Sequence, residues 1–366
     1  MERIDVAVVG GGVVGLAASC ALAARGFSTC LLERRPRLGL EASTHNSGVI
    51  HGGIYYPPDS LKASLCVDGR ERLYRFCADT GIAHSRCGKL IVASDADEIS
   101  SLERLAAQGS ANGVDDLEIL DRPAISRLEP RVSAIAALWS PSTGIVEAEA
   151  LVRALTQRAT RQDVAILPAT EVRGGRECLD GIEITTNREQ IVAAAVVNAA
   201  GLYADTLSAG IGGERFTIYP VRGEYAELVP SARQMVSRPV YPLPEPSGHG
   251  LGVHVTPTTW GGVMLGPTAA YQTDKGDYEG SRLPVDTFYK SARRFLPELR
   301  PDDLCPGGTG IRARPAPASV PFSDFIIRAD REMPALIHAA GIDSPGLTAS
   351  LSIAEMVTRL VAERLR

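Results

Sequence analysis

The chain lacks any uninterrupted apolar run long enough to cross a bilayer, which takes roughly 20 residues. It also lacks a Cys-x-x-Cys pair. Its seven cysteines (Cys20, Cys30, Cys66, Cys77, Cys87, Cys178 and Cys305) are odd in number and scattered. That pattern argues against a disulfide framework and against a zinc site, and for reduced thiols in the cytoplasm. No metal is expected. Basic charge is not in excess either: 38 Lys and Arg stand against 43 Asp and Glu, a net charge of −5. Nothing there calls for a nucleic-acid partner, and a local basic pocket for an acidic small molecule stays compatible with it. Internal repeats and low-complexity linkers are missing. What is left is a chain of 366 residues, 45% hydrophobic and 22% charged, the composition of an ordinary globular protein. Its length makes two interleaved domains the expectation.

The most informative stretch is the first. Ile4 to Val9 is apolar and β-branched and reads as a buried parallel strand. It enters Gly10-Gly11-Gly12-Val13-Val14-Gly15, where Gly10, Gly12 and Gly15 have the spacing G-x-G-x-x-G. An Ala-rich helix is expected from Leu16 to Arg25, ended by Gly26, and a second apolar run from Phe27 to Leu32 ends at Glu33. Gly10 allows a tight turn, Gly12 lets a pyrophosphate approach the backbone, and Gly15 lets the helix pack on the strand. The helix N-terminus offers free N–H groups to phosphate, and Glu33 offers acceptors to an adenosine ribose. Together they predict a dinucleotide site. The same residues superficially resemble a signal peptide, with Arg3 before an apolar run, but cleavage there would delete the site; the stretch is expected to stay on a cytoplasmic protein.

Farther on, Glu41 to Pro58 is dense in small polar residues, glycine, histidine and tyrosine, which suits a loop wrapped around a ligand. Amphipathic helices are expected over 61–80, ended by Gly81, and over 147–160. Ala195 to Asn198 reads as a second buried strand, ending in Asn198-Ala199-Ala200-Gly201 and preceded by a hairpin over 182–194. From Phe216 to Pro267 the chain breaks into short strands that predict an antiparallel sheet. Gly341 to Thr348 is a further glycine loop before a closing helix over 349–365.

These landmarks together resemble the D-amino-acid oxidase and glycine oxidase superfamily of FAD enzymes, and within it the L-2-hydroxyglutarate dehydrogenases. The likeness rests on His45-Asn46-Ser47-Gly48-Val49-Ile50-His51-Gly52-Gly53-Ile54-Tyr55-Tyr56, on Cys87 to Leu90, on Asn198 to Asp205, on Arg222-Gly223-Glu224-Tyr225, on Leu251 to His254, on Gly310-Ile311-Arg312 and on Ser344-Pro345-Gly346-Leu347-Thr348. The family pattern has Ser-Gly where this chain has Gly52-Gly53, and Ala at Leu347. The resemblance implies an α/β fold: a Rossmann-like FAD domain built from residues 1–80, 145–215 and 306–366, and an α+β substrate domain with an antiparallel sheet from 81–144 and 216–305. It implies that Gly10, Gly12, Val13, Val14, Gly15, Glu33 and Arg34 hold the ADP half. Thr44, Asn46, Ser47, Gly48 and Val49 would line the pyrophosphate and ring, Val172 would meet adenine, and Ala200 and Gly201 the phosphates. Gly310, Arg312, Gly346, Leu347 and Thr348 would border the flavin, the last three as N–H donors.

The expected chemistry is transfer of hydride from a small 2-hydroxy acid, L-2-hydroxyglutarate above others, to FAD. An amine or amino-acid oxidase on the same fold and a non-catalytic FAD-binding redox sensor are the alternatives. Such a site needs a guanidinium for the carboxylate, assigned to Arg312, and a base for the hydroxyl proton, His51 or His254. Tyr56, Tyr241 and Ser344 are candidates for orienting a second carboxylate, with Lys89 and Arg222 as further cations. The partners implied are a carboxylic-acid substrate and an electron acceptor, either oxygen or a quinone pool; the latter is compatible with peripheral membrane association.

Overall fold

Val6, Ala7 and Val8 are wholly buried, as a strand covered on both faces requires. They belong to the strand Glu2–Val9, which pairs in parallel with Thr29–Leu32 on one side and Gln190–Asn198 on the other. The structure, a computed structural model, describes residues 2–244 and 252–366. Leu251, which opens one of the blocks named above, lies outside them. Between the first two strands the chain forms the helix Val13–Ala24. It begins three residues before the expected Leu16, because Gly15 sits inside the first turn: a Cβ there would lie 1.9 Å from the Gly10 carbonyl oxygen. The absent side chain lets the helix press on the strand. The expected hairpin is present, and its second arm and the buried run after it are one strand, Gln190–Asn198. Its first half pairs with Gly181–Thr186 and its second half with Leu336–Ala340. The helices Val13–Ala24, Leu61–Thr80, Ala148–Arg161 and Gly346–Arg364 pack against this sheet around one shared core. Leu61–Thr80 has the predicted limits. Ser60 Oγ accepts from Ala63 N, Asp324 accepts from Leu61 N and Lys62 N, and Gly81 ends the helix in the left-handed region.

The second sheet is mixed, not purely antiparallel as expected. Lys89–Ala93 runs parallel to Val240–Pro242. No hairpin joins these strands, so nothing forces the antiparallel sense. The sheet also claims Leu304–Arg314, which pairs along Tyr219–Leu228. The expected domain boundary at 306 therefore falls inside a strand of this second sheet. On that strand Gly310, Arg312 and Arg314 share one face, by the two-residue period of a strand. A small third sheet, Val49–Ile50 with His84–Ser85 and Gly144–Val146, carries the chain toward His51. Among the described residues no helix is long and apolar enough to cross a membrane.

Candidate active site

A cavity of about 1060 Å³ runs from the glycine turn of the first sheet to the face of the second. At the first end Gly10 has φ +116°, and a Cβ on it would lie 2.2 Å from the Ala199 carbonyl oxygen. Gly12 caps the first helix with no side-chain bond, and no acidic residue occupies the first turn, so the positive end of the helix is open to an anion. Val13 N donates to Ser43 Oγ at 2.9 Å. The Glu33 carboxylate accepts from Gly11 N and Arg35 N, both at 2.7 Å. Burial holds its pKa above the usual range, opposed by those two N–H donors. Arg34 pairs with Glu41 and lies 3.6 Å over the Tyr203 ring.

The small-residue turn is pinned from behind. Asn198 Nδ2 donates to the Ala204 carbonyl at 2.7 Å, and its Oδ1 accepts from Ala200 N at 3.3 Å. Buried His338 stands 3.3 Å from the same Nδ2 through its Nδ1, and 2.8 Å from Asp330 through its Nε2. Asp330 also accepts from the backbone of Glu214, Glu332 and Met333. Glu214, Asp330 and His338 thus form a close buried cluster whose members are taken up by protein partners, Glu214 by Arg328.

Gly10, Gly12, Val13, Val14, Glu33, Arg34, Asn46, Ser47, Val49, Val172, Ala200, Gly201, Gly310, Arg312, Gly346 and Leu347 all lie on the cavity wall. Gly15, Thr44, Gly48 and Thr348 do not. Gly15 serves helix packing. Thr44 Oγ1 donates to the Gly39 carbonyl at 2.6 Å. Gly48 turns with φ +63°, where a Cβ would lie 2.5 Å from the Val146 oxygen. Buried Thr348 accepts from His51 N at 3.0 Å and donates to the Val49 carbonyl at 3.3 Å. Its side chain therefore sets the position of His51.

At the second end, His51 Nε2 lies 3.2 Å from Ser344 Oγ, and its Nδ1 is buried without a partner among the described residues. Tyr56 also bonds Ser344, so the three form a string across the wall. A neutral imidazole keeps one unprotonated nitrogen, which can take one proton. Burial, then the charges of Lys89 and Arg312, push its pKa down to about 3. His254 is buried and stacks on Tyr241, with ring centroids 3.4 Å apart and planes 10° apart. Arg222 is off the wall, paired with Glu224 at 3.0 Å and with Asp277 at 3.6 Å.

Lys89 is also off the wall. Its side chain is wholly buried, and Nζ has no hydrogen-bond partner among the described residues; it sits 4.5 Å over the Tyr55 ring and 4.7 Å over that of Tyr241. Burial depresses its pKa to about 7, against a small opposing effect of Cys66. An unfolded lysine titrates near 10.4, so from about pH 7 to 10 the unfolded chain binds the extra proton. Stability from this residue is therefore complete above the unfolded pKa and is lost as pH falls toward 7. Lys89→Met should flatten the rise of unfolding free energy across that window by up to about 1.4 kcal/mol per pH unit. Urea titrations at intervals between pH 7 and 10 measure it; an unaltered slope would mean that Lys89 stays charged in the fold.

The family described as FAD dependent oxidoreductase (DAO) matches residues 5–360. The chain belongs to this family. The flavoenzyme is 34% identical to the mitochondrial L-2-hydroxyglutarate dehydrogenase of Arabidopsis thaliana, over 97% of this chain and 83% of that protein. It is 32% identical to the Homo sapiens protein of the same name, over 99% and 89%. In structure it is similar to the dithionite-reduced, FAD-bound L-alpha-glycerophosphate oxidase of Mycoplasma pneumoniae, with a TM-score of 0.90 and 29% identity over 99% of this chain and 95% of that one. Glycine oxidase from Geobacillus kaustophilus shares the fold, with a TM-score of 0.83 at 24% identity.

FAD is the cofactor of this flavoenzyme, and the cavity fits it. The close approaches at Gly10 and Gly12 leave the bare backbone that a pyrophosphate needs, and the Glu33 carboxylate lies on the wall beside them. A second helix N-terminus, Gly346–Leu347, opens on the cavity with no acidic residue in its first turn, which favours an electron-rich ring edge. Sequence reasoning did not find Ser43, Tyr203, Tyr225, Lys62 or Arg314, all on the wall. For Arg314 there was a usable signal, its two-residue offset from Arg312. Ser43 lies in the loop read as wrapped around a ligand, and Tyr203 and Tyr225 lie in blocks that carry the family resemblance; for Lys62 only the fold brings it in.

Proposed function

We propose that this flavoenzyme oxidises a 2-hydroxy acid to the 2-oxo acid, with L-2-hydroxyglutarate as substrate and 2-oxoglutarate as product. The observation that carries the reading is Arg312: a wall guanidinium with no ion-pair partner among the described residues, in the same cavity as a neutral His51 whose pKa it lowers. The guanidinium holds the C1 carboxylate through two parallel donors. His51 takes the proton of the C2 hydroxyl, and Ser344, tied to Tyr56, keeps the imidazole oriented. The wall of Tyr55, Tyr241 and His254 restricts water around the reacting carbon. Bound FAD supplies the two-electron acceptor, and the protein supplies orientation and proton handling. The relatives named L-2-hydroxyglutarate dehydrogenase support the substrate. In this reading oxygen or a quinone pool reoxidises the cofactor, in the cytoplasm or peripheral to the inner membrane.

Anaerobic stopped-flow tests the proposal. L-2-hydroxyglutarate should bleach the bound flavin faster than D-2-hydroxyglutarate, L-lactate, glycine or sarcosine, because carboxylate anchor, hydroxyl acceptor and flavin fix three points around C2. Faster bleaching by glycine or sarcosine would make the protein an amine oxidase. No bleaching by any of the five would favour a redox sensor.

A further inference from the structure

Five cationic side chains line the cavity: Arg34, Lys62, Arg173, Arg312 and Arg314. Three of them meet a carboxylate of the protein. Arg34 pairs with Glu41, Lys62 with Asp343 at 2.6 Å, and Arg173 with Glu171 at 3.9 Å. Among the described residues Arg312 and Arg314 meet none. These two are neighbours on one face of the strand Leu304–Arg314, so their Cα atoms are about 6.8 Å apart at about 3.4 Å of rise per residue. We infer that Arg312 and Arg314 form a two-carboxylate ruler, with Arg312 on the carboxylate next to the reacting carbon and Arg314 on the distal carboxylate of a five-carbon diacid. This rests on the 2-hydroxy-acid reading above and names what that reading leaves open, the group that selects a diacid over a monoacid.

The dimensions agree. Four carbon–carbon bonds of about 1.5 Å, in zigzag, put the two carboxylate carbons of such a diacid about 5 Å apart. Both guanidinium groups act on one neighbourhood: Arg314 Cζ lies 5.9 Å from the Tyr271 ring centroid, and the charge of Arg312 also reaches that phenol. Arg314 is held for the task. One terminal nitrogen donates to the carbonyls of Val320 at 2.5 Å and Pro321 at 2.8 Å, which ties that segment to the strand and restrains the side chain. Its remaining N–H groups have no protein acceptor among the described residues, and two unpaired cations in one cavity are best satisfied by a dianion. The hydroxyls of Tyr56 and Ser344 bond each other, and Ser344 also contacts His51, so both are already engaged with protein partners, and neither carries the charge that Arg314 offers.

The test uses the FAD-loaded enzyme and the unreactive acids glutarate and butyrate, with binding read from perturbation of the flavin spectrum. Arg314→Gln removes the charge and leaves a shorter amide; Arg314→Lys keeps the charge. Wild type should bind glutarate well and butyrate poorly. Arg314→Gln should lose about 10- to 100-fold on glutarate and little on butyrate, with Arg314→Lys between the two. In turnover, Arg314→Gln should raise KM for L-2-hydroxyglutarate by a similar factor and leave 2-hydroxybutyrate unchanged. Equal losses on both acids, or no loss on either, would overturn the ruler. If wild type oxidises no 2-hydroxy acid, the functional reading fails, while the glutarate–butyrate contrast still reports on Arg314.

Discussion

His51→Ala should slow anaerobic reduction of the flavin by L-2-hydroxyglutarate by about 10²–10⁴-fold, the usual contribution of a positioned base, while the substrate dissociation constant moves only a few-fold. The reason lies in the state of the imidazole. Burial and the charges of Lys89 and Arg312 keep it unprotonated throughout the physiological range. A carboxylate arriving at Arg312 offsets part of that positive field, so the proton affinity of His51 rises as substrate binds. The backbone of His51 is fixed by Thr348 and its ring by Ser344, so little reorganisation is needed at the moment of transfer. His254 is the control. Its ring face is covered by Tyr241, which suits a wall residue better than a proton acceptor. Stopped-flow comparison of the two alanine variants decides, and a larger rate loss for His254→Ala would exchange the roles.

Arg312→Lys should raise KM for L-2-hydroxyglutarate by roughly 10- to 100-fold and leave FAD bound. The change removes a bidentate, charge-assisted pair worth about 1.5–3 kcal/mol and leaves a single ammonium in its place. Steady-state kinetics and the FAD content of the purified variant measure both parts. An unchanged KM would remove Arg312 from carboxylate binding. Arg222 would not be its substitute, because Glu224 and Asp277 already neutralise it away from the cavity. Lys89 would not be either, since the rings of Tyr55 and Tyr241 lie against its ammonium group.

The sequence by itself determined the nucleotide end. Strand, glycine turn, helix and Glu33 are contiguous, and their roles depend on backbone freedom and a helix terminus, which are local properties. Gly10 shows this: its positive φ and its contact with Ala199 follow from the turn that the spacing already required. The helix Leu61–Thr80 was legible for the same reason, with its cap at Ser60 and its stop at Gly81 written in neighbouring residues. The reactive end was legible only as a set of candidates. His51 and Ser344, which meet there, are 293 positions apart, and Thr348 reaches His51 across 297. Whether an arginine is paired depends on which carboxylates the fold brings to it, and no local pattern encodes that: Arg222 and Arg312 face each other's strands in adjacent registers, yet among the described residues only Arg222 meets a carboxylate. Lys89 read equally as a further site cation or a structural strand residue, and the fold buries it against the rings of Tyr55 and Tyr241. The tertiary structure alone decided which charges were neutralised within the protein and which were left to meet a ligand, because pairing and desolvation are set by distance in space.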